Sequence, residues 1–395
     1  MPHVQALCTQ CGASQLVDSS LEAALCKFCK TPFVVETAIN SYNNSYNINA
    51  TNVNIIGGGI SGFKIRAGVL EEYTGEATDV IIPDNVKSIA AGAFKNCTGL
   101  TNVIIPDSVR SIGVDLINER DYGAFYNCTG LKSLVIPNSV TEIGDYAFHD
   151  CTGLTSVTIP SSVKNIGQGA FAGCSRLTRV TLPNGIESIC FFHSCTELKN
   201  VTIPDSVKFF DGAFPECTGL TSVTIPSSVK SIGSSSFQGC TGLTSVTIPG
   251  SVTEIGNSAF SRCTGLTSIT IPNSVTEIGD YAFYGCTGLT SVTIPDGVKG
   301  IGKYAFQGCT GLISVTITGS IKSIGQEAFA GCSRLTCVTL SDEQKTYDGP
   351  YSGHSVFNGT PYAEQQMRIH YGLCLHCGGR IKKGLLGSKC TECGK

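Results

Sequence analysis

LTSVTIPSSVKNIGQGAFAGC, residues 154–174, decides the fold because it recurs. From about Ile82 to Leu340 the same pattern returns. It is closed each time by a cysteine: Cys97, Cys128, Cys151, Cys174, Cys195, Cys217, Cys240, Cys263, Cys286, Cys309 and Cys332. Successive cysteines lie 31, 23, 23, 21 and 22 residues apart, then 23 apart five times. A fixed period in the twenties is the signature of a solenoid, in which each unit is one coil and coils stack. Within the quoted unit, Leu154, Val157 and Ile159 have the spacing of a short strand with one buried face. Pro160 ends that strand and Ser161-Ser162 turn the chain. Val163 and Ile166 are the next inward anchors, Gly167 allows a sharp corner, and Ala170 and Phe171 fill the far side. The residues are too strand-like and too punctuated for long helices, so one helical or 3₁₀ turn per coil is the most expected.

A coil with about five inward apolar side chains cannot offset the entropy of ordering its whole length, so neighbours must cover its open faces. The units are similar to the leucine-rich repeats of the BspA-like (Treponema-type) class, on the motif Ile248-Pro249, Val252, Ile255-Gly256, Ala259-Phe260, Cys263 and Leu266. The resemblance implies a β-rich leucine-rich repeat solenoid with a parallel sheet on its concave side. Many relatives resemble surface adhesins. Three departures stand out. Cys190-Phe191-Phe192 falls where glycine and Ala-Phe are usual, Phe209-Phe210 is aligned with Ile-Gly, and eight extra residues surround 114–121. Solenoid ends expose unpaired edges and need caps. Phe63-Lys64-Ile65 with Val69 to Tyr73 reads as a hairpin cap. At the other end Val356-Phe357 reads as a worn repeat.

The 395 residues are 41% hydrophobic and 14% charged, with net charge -3, 46 glycines and no tryptophan, a balance that suits a repetitive β-rich protein. It argues against a dominant nucleic-acid surface, which needs a basic excess. No apolar run reaches the ~18 residues of a membrane span. Residues 1–10 lack the basic and apolar regions of a secretory signal, an expectation of cytoplasmic location with the cell surface as the alternative. Of 21 cysteines, the eleven repeat thiols fall at equivalent positions and point the same way, poor geometry for disulfides and a reading of a reduced compartment.

Eight cysteines form four C-x-x-C pairs near the termini. Cys8 and Cys11 precede Cys26 and Cys29, and Cys374 and Cys377 precede Cys390 and Cys393, with fourteen and twelve residues between the pairs. Two such knuckles place four thiolates around one tetrahedral zinc ion, giving two structural zinc sites. A redox role wants a thioredoxin-like βαβ context, absent here. One site shared between the termini would close a far longer loop. Both segments resemble zinc ribbons. The organisation expected is a zinc ribbon over 1–36, an Asn-rich linker over 37–60, a capped solenoid over 61–372 and a second ribbon over 373–395.

Residues 57–62, GGGISG, imitate a dinucleotide fingerprint, but the helix that must follow is missing, so no cofactor site is read there. No histidine is read as part of a motif that joins a nucleophile to a carboxylate, so no catalytic set is assigned. The outward strand position is threonine in nine of eleven coils, from Thr158 to Thr339, which serves strand propensity and solubility and, read functionally, is a polar, uncharged recognition face. Asn102, Arg179 and Asn200 vary it locally, and the insertion offers Asp115, Glu119, Arg120 and Asp121 as a unique epitope. The function expected is a non-enzymatic scaffold binding a protein or peptide. A surface adhesin is the alternative, and a nucleic-acid role through the ribbons, near Lys382, Lys383, Lys389 and Lys395, is the second. No small-molecule substrate is expected.

Overall fold

The computed structural model describes residues 62–114, 122–319, 321–340 and 356–363 in full. It also describes the backbone of strands His3–Leu7, Ser14–Asp18, Ala23–Leu25, Pro32–Val34, Ile381–Gly384 and Gly387–Cys390. The chain divides into two compact units, Met1–Pro183 and Asn184–Lys395.

In the first unit the T-S-V-T segments Asp79–Ile81, Asn102–Ile104, Ser133–Val135, Ser156–Thr158 and Arg179–Thr181 form one parallel sheet in chain order. A second sheet runs through Val69–Tyr73, Ser88–Ala90, Ser111–Val114, Glu142–Ile143 and Asn165–Ile166. The second unit repeats the scheme. Seven short parallel strands run from Ser188–Ile189 and Phe209–Phe210 through Ser231–Ile232, Glu254–Ile255, Glu277–Ile278 and Gly300–Ile301 to Ser323–Ile324. Its T-S-V-T strands pair as Ser222–Thr224 with Ser245–Thr247, and as Ser291–Ile294, Ser314–Ile317 and Cys337–Leu340. Register follows the repeat, so Val157 faces Val180 and Ile255 faces Ile278. The single sheet implied by the resemblance is therefore joined by a second ladder. Its strands are as short as two residues, below the length at which alternation can be read from sequence. The far side of each coil is a run of turns rather than a helix.

The core is a set of columns. Val157, Ile159, Val163, Ala170, Phe171, Cys174 and Leu177 are all buried, as are most of their equivalents in other coils. The phenylalanines stack ring on ring. In the first unit Phe94, Phe125, Phe148 and Phe171 lie 4.7–5.3 Å apart with nearly parallel planes. In the second, Phe260–Phe283, Phe283–Phe306 and Phe306–Phe329 lie at 5.3, 4.9 and 5.0 Å. Offset stacks add to the area term because edge and face charge alternate favourably. Phe283→Ala opens a gap in the middle of such a column. It is expected to cost about 3–5 kcal/mol, read as a fall in urea midpoint at constant slope. A loss below about 1 kcal/mol would contradict the column.

The described residues include the hairpin at the first end and part of the worn repeat at the other. Phe63–Arg66 pairs antiparallel with Val69–Tyr73, and the Tyr73 ring packs tilted against Phe94 at 5.1 Å, at the start of the column. Lys64 and Arg66 on the edge strand reach Glu71 at 3.4 and 3.5 Å, and charge on an edge discourages further pairing. At the other end Phe357 stacks on Phe329 at 5.4 Å, and the Phe329 amide donates to Val356 at 2.8 Å.

One alignment needs correcting. Phe209 pairs with Ser188, and Phe210 with Ile189 and Ile232. Phe210 therefore takes the buried isoleucine place and Phe209 the outward serine place, rather than those of isoleucine and glycine. Asp211 then follows where glycine is usual. The Asn-rich segment 37–60 and the insertion residues Asp115, Glu119, Arg120 and Asp121 lie outside the described residues, as do Cys8, Cys11, Cys26, Cys29, Cys374, Cys377 and Cys393.

Candidate functional site

None of the thirteen cysteines from Cys97 to Cys337 is in a disulfide. Repeat thiols reach back one coil. Cys151 donates S–H to the Phe125 carbonyl at 3.2 Å, Cys174 to Phe148 at 3.2 Å, Cys263 to Phe237 at 3.0 Å and Cys286 to Phe260 at 3.0 Å. The same phenylalanine carbonyl already accepts an amide in its own turn, as Phe148 does from Cys151. A thiol is small and apolar enough for this dry position and still supplies a weak donor. The residue before each cysteine is left-handed: Asp150 at φ 58°, Gly173 at 72°, Arg262 at 59° and Gly285 at 67°. That accounts for glycine recurring there. This inward column is structure, so function has to lie on the outward positions.

On the T-S-V-T sheets, alternation sends valine inward and the flanking serine and threonine outward. Ser156, Thr158, Thr181, Ser222, Thr224, Ser245 and Thr247 are exposed, and Ser222 faces Ser245 as Thr224 faces Thr247. The threonine one place earlier does different work. Thr178 Oγ1 donates to Thr155 O at 3.1 Å and Thr244 Oγ1 to Thr221 O at 3.2 Å, a side-chain staple between coils. Asn102 lies half-buried on its strand facing Ser133, and Arg179 is exposed facing Ser156. They share one row, three ladder steps of ~4.8 Å apart, rather than one pocket. Asn200 is exposed outside any strand, in a groove of about 290 Å³ with Thr202, Asp205, Ser222 and Thr224.

The second ladder carries what sequence reading missed. Its outward row in the second unit is Ser188, Phe209, Ser231, Glu254, Glu277, Gly300 and Ser323, so one aromatic ring interrupts small and acidic residues. Phe209 is 63% exposed. It borders a groove of about 320 Å³ that also touches Lys208, Asp211, Ser231, Glu254 and Asn257. The signal was in the sequence. Counting forward from Val207, rather than back from Phe214, puts Phe209 on the serine position, because this coil is one residue short.

Among the described residues, no three His, Cys, Asp or Glu side chains gather closely enough to hold a metal ion. His149 Nδ1 lies 3.1 Å from Asp150 Oδ2 while its ring stacks on Tyr126, with no nucleophile in the pair. Among the described residues, no helix is long and apolar enough to cross a membrane.

The model of the BspA type leucine rich repeat region matches residues 64–119, 118–243 and 230–351, which is more than half of the chain. The chain belongs to the BspA-type leucine-rich repeat family. Among solved structures, this BspA-type chain is similar to a leucine-rich repeat protein from Bacteroides ovatus: 26% identity, 86% of this chain, 87% of that chain, TM-score 0.55. A leucine rich cell surface protein from Faecalibacterium prausnitzii is 28% identical over 75% of this chain and 98% of its own, with TM-score 0.45. No curated protein sequence matches.

Proposed function

We propose that this BspA-type chain is a non-enzymatic scaffold that binds a protein or peptide through the outward rows of its coils, with a structural zinc site at each end. The supporting observation is the contrast between rows. Inward positions repeat almost without change, whereas Asn102, Arg179 and Asn200 vary outward positions that are mostly serine and threonine, and Phe209 breaks a row of small and acidic residues. A stacked array gives an extended surface of this kind and suits recognition better than chemistry. For zinc, the support is the donor set of eight thiols and the strands beside them. Leu7 pairs with Ser14 across Cys8 and Cys11, Leu25 with Pro32 across Cys26 and Cys29, and Ile381 with Cys390.

Location is a separate matter. Thiols buried one per coil are shielded from oxidants wherever the chain resides, so cysteine content no longer favours the cytoplasm over the cell surface. Protease shaving of intact cells separates the two: cleavage places the chain outside, protection inside.

The binding test is affinity capture from the producing cells with three proteins: the full chain, a chain lacking 115–121, and Thr224→Lys with Thr247→Lys. At least one change is expected to reduce recovery of a specific partner tenfold or more. Recovery of the same set at the same yield from all three would remove both surfaces from the proposal.

A further inference from the structure

The groove beside Phe209 has a chemistry of its own. One wall is an aromatic ring that the fold does not need outside, since the same position is serine in the coils before and after it. The Asp211 carboxylate lies over Gly233, where a side chain would collide with it, and both residues line the groove. Glu254 lines the groove and faces Glu277 in the next strand. The nearby cation is already used: Lys208 Nζ is 2.6 Å from Glu187 Oε1. Among the described residues, no Lys, Arg or His nitrogen comes within 4.0 Å of Asp211, Glu254 or Glu277. An exposed ring therefore shares a groove with carboxylates that, among the described residues, pair with no cation at salt-bridge distance.

We propose that this groove receives an arginine side chain from an extended basic segment of a protein partner, with the guanidinium on the Phe209 ring and donating to Asp211 and Glu254. The inference rests on the scaffold reading and adds the class of partner. Arginine fits better than lysine because its planar fork stacks on a ring and also donates to two acceptors at once. Carboxylates repel acidic partners, and an aromatic wall favours a weakly hydrated cation over a strongly hydrated one. At about 320 Å³ the groove is at the small end of ligand pockets, roughly 300–1,000 Å³, which suits one side chain with its flanking backbone. Ser231 and Asn257, also on the lining, supply neutral partners for that backbone.

The test is titration of the full chain with the peptide acetyl-SGRGRGS-amide at low salt, followed by NMR or calorimetry. Versions carrying lysine or citrulline in place of arginine are run in parallel. The arginine peptide is expected to bind at least tenfold more tightly than the citrulline peptide, which keeps the shape and loses the charge. It should bind about threefold or more tightly than the lysine peptide. Phe209→Ser restores the residue of the neighbouring coils at an exposed position, so folding is preserved. It should weaken the arginine peptide at least fivefold, and Asp211→Asn with Glu254→Gln should do the same and flatten the salt dependence. Equal binding of arginine and citrulline peptides, or no effect of Phe209→Ser, overturns the assignment. If the arginine peptide does not bind while partner capture still responds to the face variants above, the groove is excluded and the scaffold stands.

Discussion

Raising the pH from 8 to 10 is expected to destabilise the coil stack by about 2 kcal/mol for each buried thiol. Burial pushes Cys128, Cys151, Cys174, Cys240 and Cys263 well up, and Cys286 up to about 12. Cys309 is raised first by its hydrogen bond with Cys332 and then by burial. In an unfolded chain a thiol titrates near 8.5. Below about pH 8 both states keep the proton and the folded state has its full stability. Between 8.5 and the raised folded value, only the unfolded chain releases protons, so each pH unit removes about 1.4 kcal/mol per thiol until the folded value is reached. Seven such thiols in two units amount to a loss on the order of 10 kcal/mol, comparable with the whole stability of an ordinary domain. Urea midpoints measured at half-unit steps, with a phosphine reductant present, should fall steeply above pH 8.5. Cys263→Ala with Cys286→Ala should lower that slope by about two thiols' worth. A slope corresponding to a single titrating group would show that the thiols ionise alike in both states. Alkylation at pH 8 gives an independent check: exposed Cys337 should react in the native chain, and Cys263 and Cys286 only after unfolding.

How far the sequence could be read depended on the length of each signal. The period, the inward Val157, Ile159, Phe171 and Cys174, and both caps follow from residue spacing, because each is repeated or sits where an edge must be closed. The second ladder was missed as a ladder because Asn165–Ile166 and its equivalents offer one inward and one outward residue, too few for a period. Phe209 was misplaced for a related reason. A hydrophobic pair reads as core in either frame, and only pairing with Ser188 fixes which ring faces out. The polar face was legible as composition but not as two kinds of threonine. Thr178 and Thr158 look alike in sequence, yet one caps a carbonyl of the preceding coil and the other lies open.

Purified chain is expected to carry two zinc ions, and their removal should unfold both ends while the coils persist. The terminal segments 1–36 and 373–395 are too short to bury a sufficient core, so ion binding is expected to supply the folding free energy. For thiolate-bound structural zinc that is about 10–16 kcal/mol per site at neutral pH. The strand pairs His3–Leu7 with Ser14–Asp18, Ala23–Leu25 with Pro32–Val34 and Ile381–Gly384 with Gly387–Cys390 are short antiparallel hairpins, and an isolated two-stranded hairpin is marginal in water. Cys8→Ser with Cys11→Ser should lower the metal content from two ions to one and abolish amide protection in His3–Leu7. Cys390→Ser with Cys393→Ser should do the same for Ile381–Gly384. The coils hold their own columns of phenylalanine and cysteine, so chelation should leave the urea transition of the repeats in place. Protected hairpins in metal-free protein, with no zinc found by elemental analysis, would mean that the eight terminal cysteines serve something other than structural zinc.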